Sequence, residues 1–204
     1  MSLNTSPAAE RNGSFILKVL EAHLPASGTI LEIASGTGQH AVFAAPALAP
    51  RIWQPSDCNA SSINTIQDWI AAHPSPNLSQ PLLLDVRQHP WPVEQPPVSP
   101  EITAIVAINM IHIAPWCCCE ALLDGAQRIL PSGGVLYLYG PFKRDGQHTA
   151  PSNQSFDTDL RNRDPEWGIR DLDVVSRKAA GRQLDLSAVI EMPANNLSVI
   201  FSRR

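Results

Sequence analysis

The sequence predicts an α/β domain: a doubly wound, seven-stranded, mostly parallel sheet that ends in an antiparallel hairpin. Three observations carry this. Short apolar runs alternate with amphipathic stretches along most of the chain, and the first of these runs opens into a glycine-rich turn. The last two apolar runs are joined only by Pro193-Ala-Asn-Asn196, a connection too short for a parallel crossover. The 204 residues, 44% hydrophobic and 17% charged, suit one globular domain over residues 1–204.

Taken in order, residues 12–24 read as a helix with Phe15, Ile16, Val19 and Leu20 on one face, stopped by Pro25 and Gly28. Residues 29–33 are too few for a helix and lead into Ser35-Gly-Thr-Gly38, which predicts a buried strand and a tight turn. The Ala-rich stretch 39–48 supplies the helix that follows. The pattern then repeats, with a brief strand at 51–54, a helix over 61–72 marked by Ile63, Ile66 and Ile70, and a strand at Leu82-Leu-Leu84. Residues 88–100 are Pro-rich and predict no regular structure. A strand at 103–108 comes next, then a helix with Pro115 in its first turn that reaches Leu130. Pro131-Ser-Gly-Gly134 breaks that helix before a strand at 135–139. Residues 143–170 are polar and turn-rich and precede a short helix near 172–180. The runs 186–192 and 197–201 form the closing hairpin. Five parallel strands plus this hairpin make up the sheet.

Several function classes fall away. Residues 1–11 are polar and lack the apolar core of a signal peptide, and no apolar run approaches the roughly 20 residues a bilayer demands. The expected location is cytoplasmic, with no membrane partner. The net charge of −4 offers no basic excess for a duplex, so no nucleic-acid partner is evident. The cysteines are Cys58 and the run Cys117, Cys118 and Cys119. Helical neighbours point about 100° apart, and no CxxC or paired histidine spacing accompanies them, so no metal site is expected.

The densest signal is Leu31-Glu-Ile-Ala-Ser-Gly-Thr-Gly-Gln-His40. A turn between strand and helix exposes backbone N–H groups, and glycine admits a ligand close to the main chain. Gly36 and Gly38 supply that bare backbone, beside the small residues Ala34 and Ser35. Glu32 adds a fixed negative charge, which suits the ammonium and sulfonium of S-adenosylmethionine and repels a pyrophosphate. A plain structural turn is the alternative. Asp57, about 20 residues past the turn, stands where doubly wound folds bind ribose hydroxyls, or else caps the helix beyond Asn59. Asp85 and Val86 close the third strand, where an acid and a backbone N–H meet an adenine; the alternative is a solvated turn. Asn109 closes the fourth strand and faces the methionine part of such a cofactor, with Met110 or Ile111 packing on the adenine. His112 is a candidate general base, or a polar residue satisfied by backbone.

These elements resemble the class I S-adenosylmethionine-dependent methyltransferase superfamily over nearly the whole chain, which implies a Rossmann-like methyltransferase fold. Ala34 departs from the pattern, since many members carry glycine there. A narrower resemblance runs through Ser6-Pro-Ala-Ala-Glu-Arg-Asn12, Trp53-Gln-Pro-Ser-Asp57, Asn109-Met-Ile-His-Ile113 and Tyr139-Gly-Pro-Phe142. It continues in residues 163–171 and Met192-Pro-Ala-Asn-Asn196. Together these are similar to the methyltransferase-like protein twenty-six family and its bacterial relatives, long catalogued as a domain of unknown function. The resemblance implies S-adenosylmethionine as cofactor and names no acceptor.

In such a fold the loops after the fourth and fifth strands shape an acceptor pocket, here Tyr139 to Phe142 and the segment through Asp171. Asn153, Phe156, Arg161, Trp167 and Arg170 mix aromatic faces with guanidinium forks, which suit a small, anionic acceptor or else pin a long loop. Tyr139 is a second catalytic candidate. Glu10, Arg11 and Asn12 form a polar triplet at the head of the first helix; as a lid, Arg11 faces the cofactor and Asn12 the acceptor, while the alternative has Asn12 merely start the helix. The expected activity is methyl transfer to a small molecule, with oligomeric state left open. A non-catalytic cofactor-binding or scaffold protein is the alternative. A nicotinamide enzyme is disfavoured, because residues 36–41 read GTGQHA where GxGxxG is usual.

Overall fold

The computed structural model of the protein describes residues 3–96 and 100–204, so residues 97–99 of the Pro-rich stretch lie outside it. In chain order the elements are α1 (Pro7–His23), β1 (Thr29–Ile33), α2 (Gln39–Ala47), β2 (Ile52–Asp57), α3 (Ala60–Ala72), β3 (Leu82–Leu83), β4 (Ile102–Ile108) and α4 (Trp116–Ile129). They continue with β5 (Val135–Gly140), β6 (Phe142–Arg144), β7 (Gln147–His148), α5 (Pro151–Arg163), β8 (Arg170–Asp171), α6 (Leu172–Ala180), β9 (Leu184–Met192) and β10 (Asn196–Arg203).

Seven strands form one sheet in the order β3-β2-β1-β4-β5-β10-β9. The first five pair in parallel, and β10 runs antiparallel to both β5 and β9. This is the doubly wound sheet with a terminal hairpin that the sequence predicts. Every residue of β1 is buried, as is every residue of β5, because helices cover both faces. Ile16 and Leu20 of α1, Ala41 and Ala44 of α2 and Ile66 of α3 fill one face. On the other, Leu122 and Leu123 of α4 and Val175 of α6 pack against Leu31, Ile105 and Leu136. The winding reverses between β1 and β4, which are hydrogen-bonded neighbours. A crevice therefore opens above their C-terminal ends, the place where such sheets take ligands.

Three expectations need correction. The first helix begins at Pro7, with Ser6 as N-cap and Pro7 in the first turn, rather than at residue 12. Glu10, Arg11 and Asn12 thus lie within α1, and Asn12 does not start it. Strand β2 reaches Asp57, beyond the 51–54 that its apolar residues mark.

Residues 143–170 are not merely turns. They carry a three-stranded sheet in the order β7-β6-β8 and the helix α5. That helix escapes a periodicity reading because it buries only Asn153, Asp157 and Leu160. Asp157 anchors it: the carboxylate meets Lys143 Nζ at 2.8 Å, His148 Nε2 at 3.3 Å and Arg161 Nε at 3.4 Å, and accepts from the Ile169 N–H at 2.7 Å. Burial pushes the carboxyl's pKa up, but Lys143, the Ile169 N–H and Arg161 together hold it below the usual range.

Trp91 fixes the irregular chain after β3. Its Nε1 donates to the Val86 carbonyl at 3.0 Å, and the Arg128 guanidinium lies over its ring at 5.6 Å. Gly125 of α4 makes room, since a Cβ there would stand 2.1 Å from the ring. Gly125→Ala should therefore destabilise the protein by about 1–3 kcal/mol despite alanine's better helix propensity. Urea unfolding checks this, and an unchanged or raised midpoint would show that the ring yields freely.

Candidate functional site

A cavity of about 480 Å³ lies above the C-terminal ends of β1, β3 and β4. Glu32 and the turn from Ala34 to Thr37 form its floor, Leu84 to Arg87 one end, and Asn109, Met110 and residues 113–115 the opposite side. Ser6 and Ala9 of the N-terminal segment close over it, and Trp167 approaches from the loop before β8.

The floor is built by hydrogen bonds between β1 and β2. Glu32, 1% exposed, accepts from Ser35 Oγ at 2.7 Å and from Trp53 Nε1 at 3.0 Å, both on Oε2. No described residue donates to Oε1. Ser56 ties the same corner, its Oγ donating to the Glu32 carbonyl at 2.6 Å and its N–H to Ser35 Oγ at 3.1 Å. Burial drives the Glu32 pKa up to about 7; the Ser35 and Trp53 donors oppose this and the Asp57 charge adds to it. The carboxyl is thus charged only in part at neutral pH, not the permanent anion expected.

The turn itself needs left-handed backbone. Ala34 has φ 58° and Gly36 has φ 58°. The Gly36 N–H donates to Asp57 Oδ2 at 2.9 Å, and the Asn59 N–H donates to Asp57 Oδ1 at 2.9 Å. Asp57 is therefore a brace under the turn; Asn59, not Asp57, caps α3. Gly38 does not line the cavity. A Cβ there would stand 3.1 Å from the Ile66 Cα, so its bareness serves the close approach of α3.

Asp85 and Val86 line the far end. The Asp85 carboxylate is paired with Arg87, Nη2 to Oδ2 at 2.6 Å and Nε to Oδ1 at 3.0 Å, which lowers its pKa. Asn109 lies on the wall with φ 55°, its N–H donating to the Tyr139 carbonyl at 2.8 Å. Its carboxamide makes no hydrogen bond to a described residue. His40 is also on the wall, held neutral by burial with a pKa near 4.

The remaining expected site residues are elsewhere. Arg11 is exposed on α1. His112 is 2% exposed, packed edge-on to Phe156 with centroids 5.8 Å apart and against Gly140. Burial and the Arg170 charge push its pKa down to about 4. Tyr139 is 2% exposed, and burial raises its pKa while Asn12 and Asn196 beside its hydroxyl pull the other way. Asn12 itself is 8% exposed, with Oδ1 unpartnered. Phe142 belongs to the core, and Asn153 donates to Thr149 Oγ1 at 3.1 Å and the Asn195 carbonyl at 3.0 Å. Arg170 spends its guanidinium on the carbonyls of Ile111, Ala114 and Glu166 and lies over the Trp116 ring at 5.7 Å. Of the expected acceptor residues only Trp167 lines the cavity. Ser6, Ala9, Thr37, His40, Cys58 and Cys118 line it without having been singled out. The Ser6-Pro7 pair is a helix-start signal that marks the first two of these.

A family model described as "Protein of unknown function (DUF938)" matches residues 3–203. The chain belongs to this family. Among solved structures, the DUF938 chain is similar in fold to human N-acetylserotonin methyltransferase in complex with SAM, at TM-score 0.77 and 12% identity over 96% of this chain and 52% of that one. An O-methyltransferase family protein from Burkholderia thailandensis gives TM-score 0.75 and 13% identity over 96% and 57%. The S-adenosylmethionine-dependent methyltransferase SibL in its apo form gives TM-score 0.74 and 14% identity over 96% and 55%. The chain thus has the methyltransferase fold and spans little more than half the length of these structures. Among its described residues no helix is long and apolar enough to cross a membrane.

One consequence follows from Glu32 alone. Its folded pKa lies above the unfolded value, so ionising it costs the folded state progressively more as pH rises from 4.5 to about 7, a loss of up to roughly 3 kcal/mol above that. Glu32→Gln removes the ionisation. Relative to the wild type, the ligand-free variant should gain melting temperature between pH 5 and pH 8. A constant difference across that range would contradict the buried carboxyl.

Proposed function

We propose that this protein binds S-adenosylmethionine in the cavity and passes its methyl group to a small-molecule acceptor. The observation that carries the reading is the gathering of Glu32, the Ala34–Thr37 turn, Asp85–Val86 and Asn109–Met110 around one cavity over the strand ends. The residues fit the cofactor. Glu32 offers an oxygen to which no described residue donates, where an ammonium or sulfonium would stabilise the carboxylate. Gly36 brings bare backbone, held in place by Asp57, which braces the turn from below and does not itself line the cavity. Asp85 and Val86 stand for the adenine, with the Arg87 pair a competitor for the same carboxylate. The finer kinship with the methyltransferase-like protein twenty-six family belongs to this proposal, as does a cytoplasmic location.

When bound, S-adenosylmethionine supplies an activated methyl group open to in-line attack. The chain's own work is to orient the reactants and exclude water. Asn109 and Trp167 border the space beside the cofactor residues, and Ser6 and Ala9 shield it. Neither His112 nor Tyr139 lines the cavity, so neither is placed to take a proton from the acceptor; His40 on the wall is neutral but, with a pKa near 4, a weak base.

That packing also favours a second reading, cofactor binding without turnover. Isotope-labelled S-adenosylmethionine incubated with a small-molecule extract separates the two, since only an enzyme moves label to an acceptor. For binding itself, titration calorimetry should detect the cofactor at micromolar concentration, and no heat at millimolar concentration would end both readings. Because a cationic ligand needs Glu32 ionised, affinity should fall by up to about tenfold for each pH unit below 7 and level off above it. Glu32→Gln should bind more weakly at pH 7.5 and lose that dependence; a wild type with flat affinity from pH 5.5 to 7.5 would place the cation elsewhere.

A further inference from the structure

Resting on the cofactor reading, we infer that the acceptor is an uncharged, largely apolar small molecule that presents one polar atom to the Asn109 carboxamide. Apart from the groups assigned to the cofactor, the lining includes the apolar residues Ala9, Ile113, Ala114, Pro115 and Trp167. Its polar members include Ser6, Cys58 and His40, the last held neutral by burial, and its lining cation, Arg87, is paired with Asp85.

The cations that sequence spacing suggests for an anionic acceptor are committed. Arg170 donates to three main-chain carbonyls, and Arg161 is paired with Asp157. Arg163 is held over the Trp167 ring at 5.3 Å. Arg87 is the lining cation, and it is paired with Asp85 at the opposite end. An anion beside Asn109 would leave water for a largely apolar wall whose lining cation, Arg87, is already paired with Asp85. A neutral body loses nothing of the kind.

Two further features point the same way. Ile113 is 42% exposed at the cavity wall, a large apolar surface that an apolar ligand would cover. Asn109 holds its main chain at φ 55° while its carboxamide makes no hydrogen bond to a described residue and borders the cavity, placed to meet the polar atom of an acceptor.

The test compares a matched pair of probes, 4-hydroxybenzoate and its uncharged methyl ester, on the full chain saturated with S-adenosylhomocysteine. Calorimetry should find the ester bound about tenfold or more tightly than the carboxylate. Trp167→Ala should weaken the ester by a similar factor and Trp167→Phe much less. Equal or tighter binding of the carboxylate overturns the inference, as does failure of both probes to bind at millimolar concentration. An ester affinity untouched by Trp167→Ala overturns it too. Failure of S-adenosylhomocysteine itself to bind is a different result, which removes the cofactor reading and this inference with it.

Discussion

The Glu32 carboxyl group is buried between two parallel strands, and the geometry of the cavity depends on how it is held. Its two donors come from different directions, Ser35 from the turn just beyond β1 and Trp53 from the start of β2. Ser56 then ties the Glu32 carbonyl to β2, and Asp57 reaches back to the Gly36 N–H. The turn that floors the cavity is thereby locked to the two strands beside it. Burying a carboxyl against desolvation costs stability unless a partner repays it. Here Ser35 and Trp53 donate to the same oxygen, and burial raises the carboxyl's pKa to about 7, so that a bound proton offsets part of the cost at neutral pH.

The α/β winding was legible because its signals are local. Strands such as 29–33 are buried on both faces, so they read as short unbroken apolar runs. The hairpin was legible for a different reason, the brevity of the link at 193–196. Helix α5 was not, because much of what holds it lies outside the helix: an Asp157 carboxylate meeting Lys143 and the Ile169 N–H leaves no periodic trace in sequence. The early start of α1 was signalled by Ser6-Pro7, but the apolar stripe begins only at Phe15 and drew the boundary inward.

Most residues expected to hold a cofactor gather at the cavity, whereas of those expected at an acceptor only Trp167 lines it, and chemistry explains the difference. Glu32, Ala34, Ser35, Gly36, Asp85, Val86, Asn109 and Met110 sit at strand ends, whose position the fold itself dictates. For Arg170, residue type says only that a guanidinium is present. Whether it faces a ligand or a carbonyl is set by partners such as Ile111 and Ala114, far away in sequence. Gly38 illustrates the same limit: a glycine in a ligand-type turn proves to serve the approach of Ile66.

Left-handed backbone at two non-glycine residues gives the crevice its shape. Ala34 follows β1 and Asn109 follows β4, the neighbouring strands at which the sheet's winding reverses, and their φ values are 58° and 55°. Such conformations cost about 1–2 kcal/mol for a residue with a Cβ. Both are held by strong neighbours, the Ser35 N–H donating to Ser56 O at 2.8 Å and the Asn109 N–H donating to Tyr139 O at 2.8 Å. Each turn swings the chain off the sheet at the first residue past the strand, which lets the two loops diverge and leaves the space between them. Glycine at position 34 would relieve the strain, yet alanine keeps a methyl group against the apolar cluster beneath β1. The strain is therefore borne where two strand ends must part, and the cavity is the gap that their parting creates.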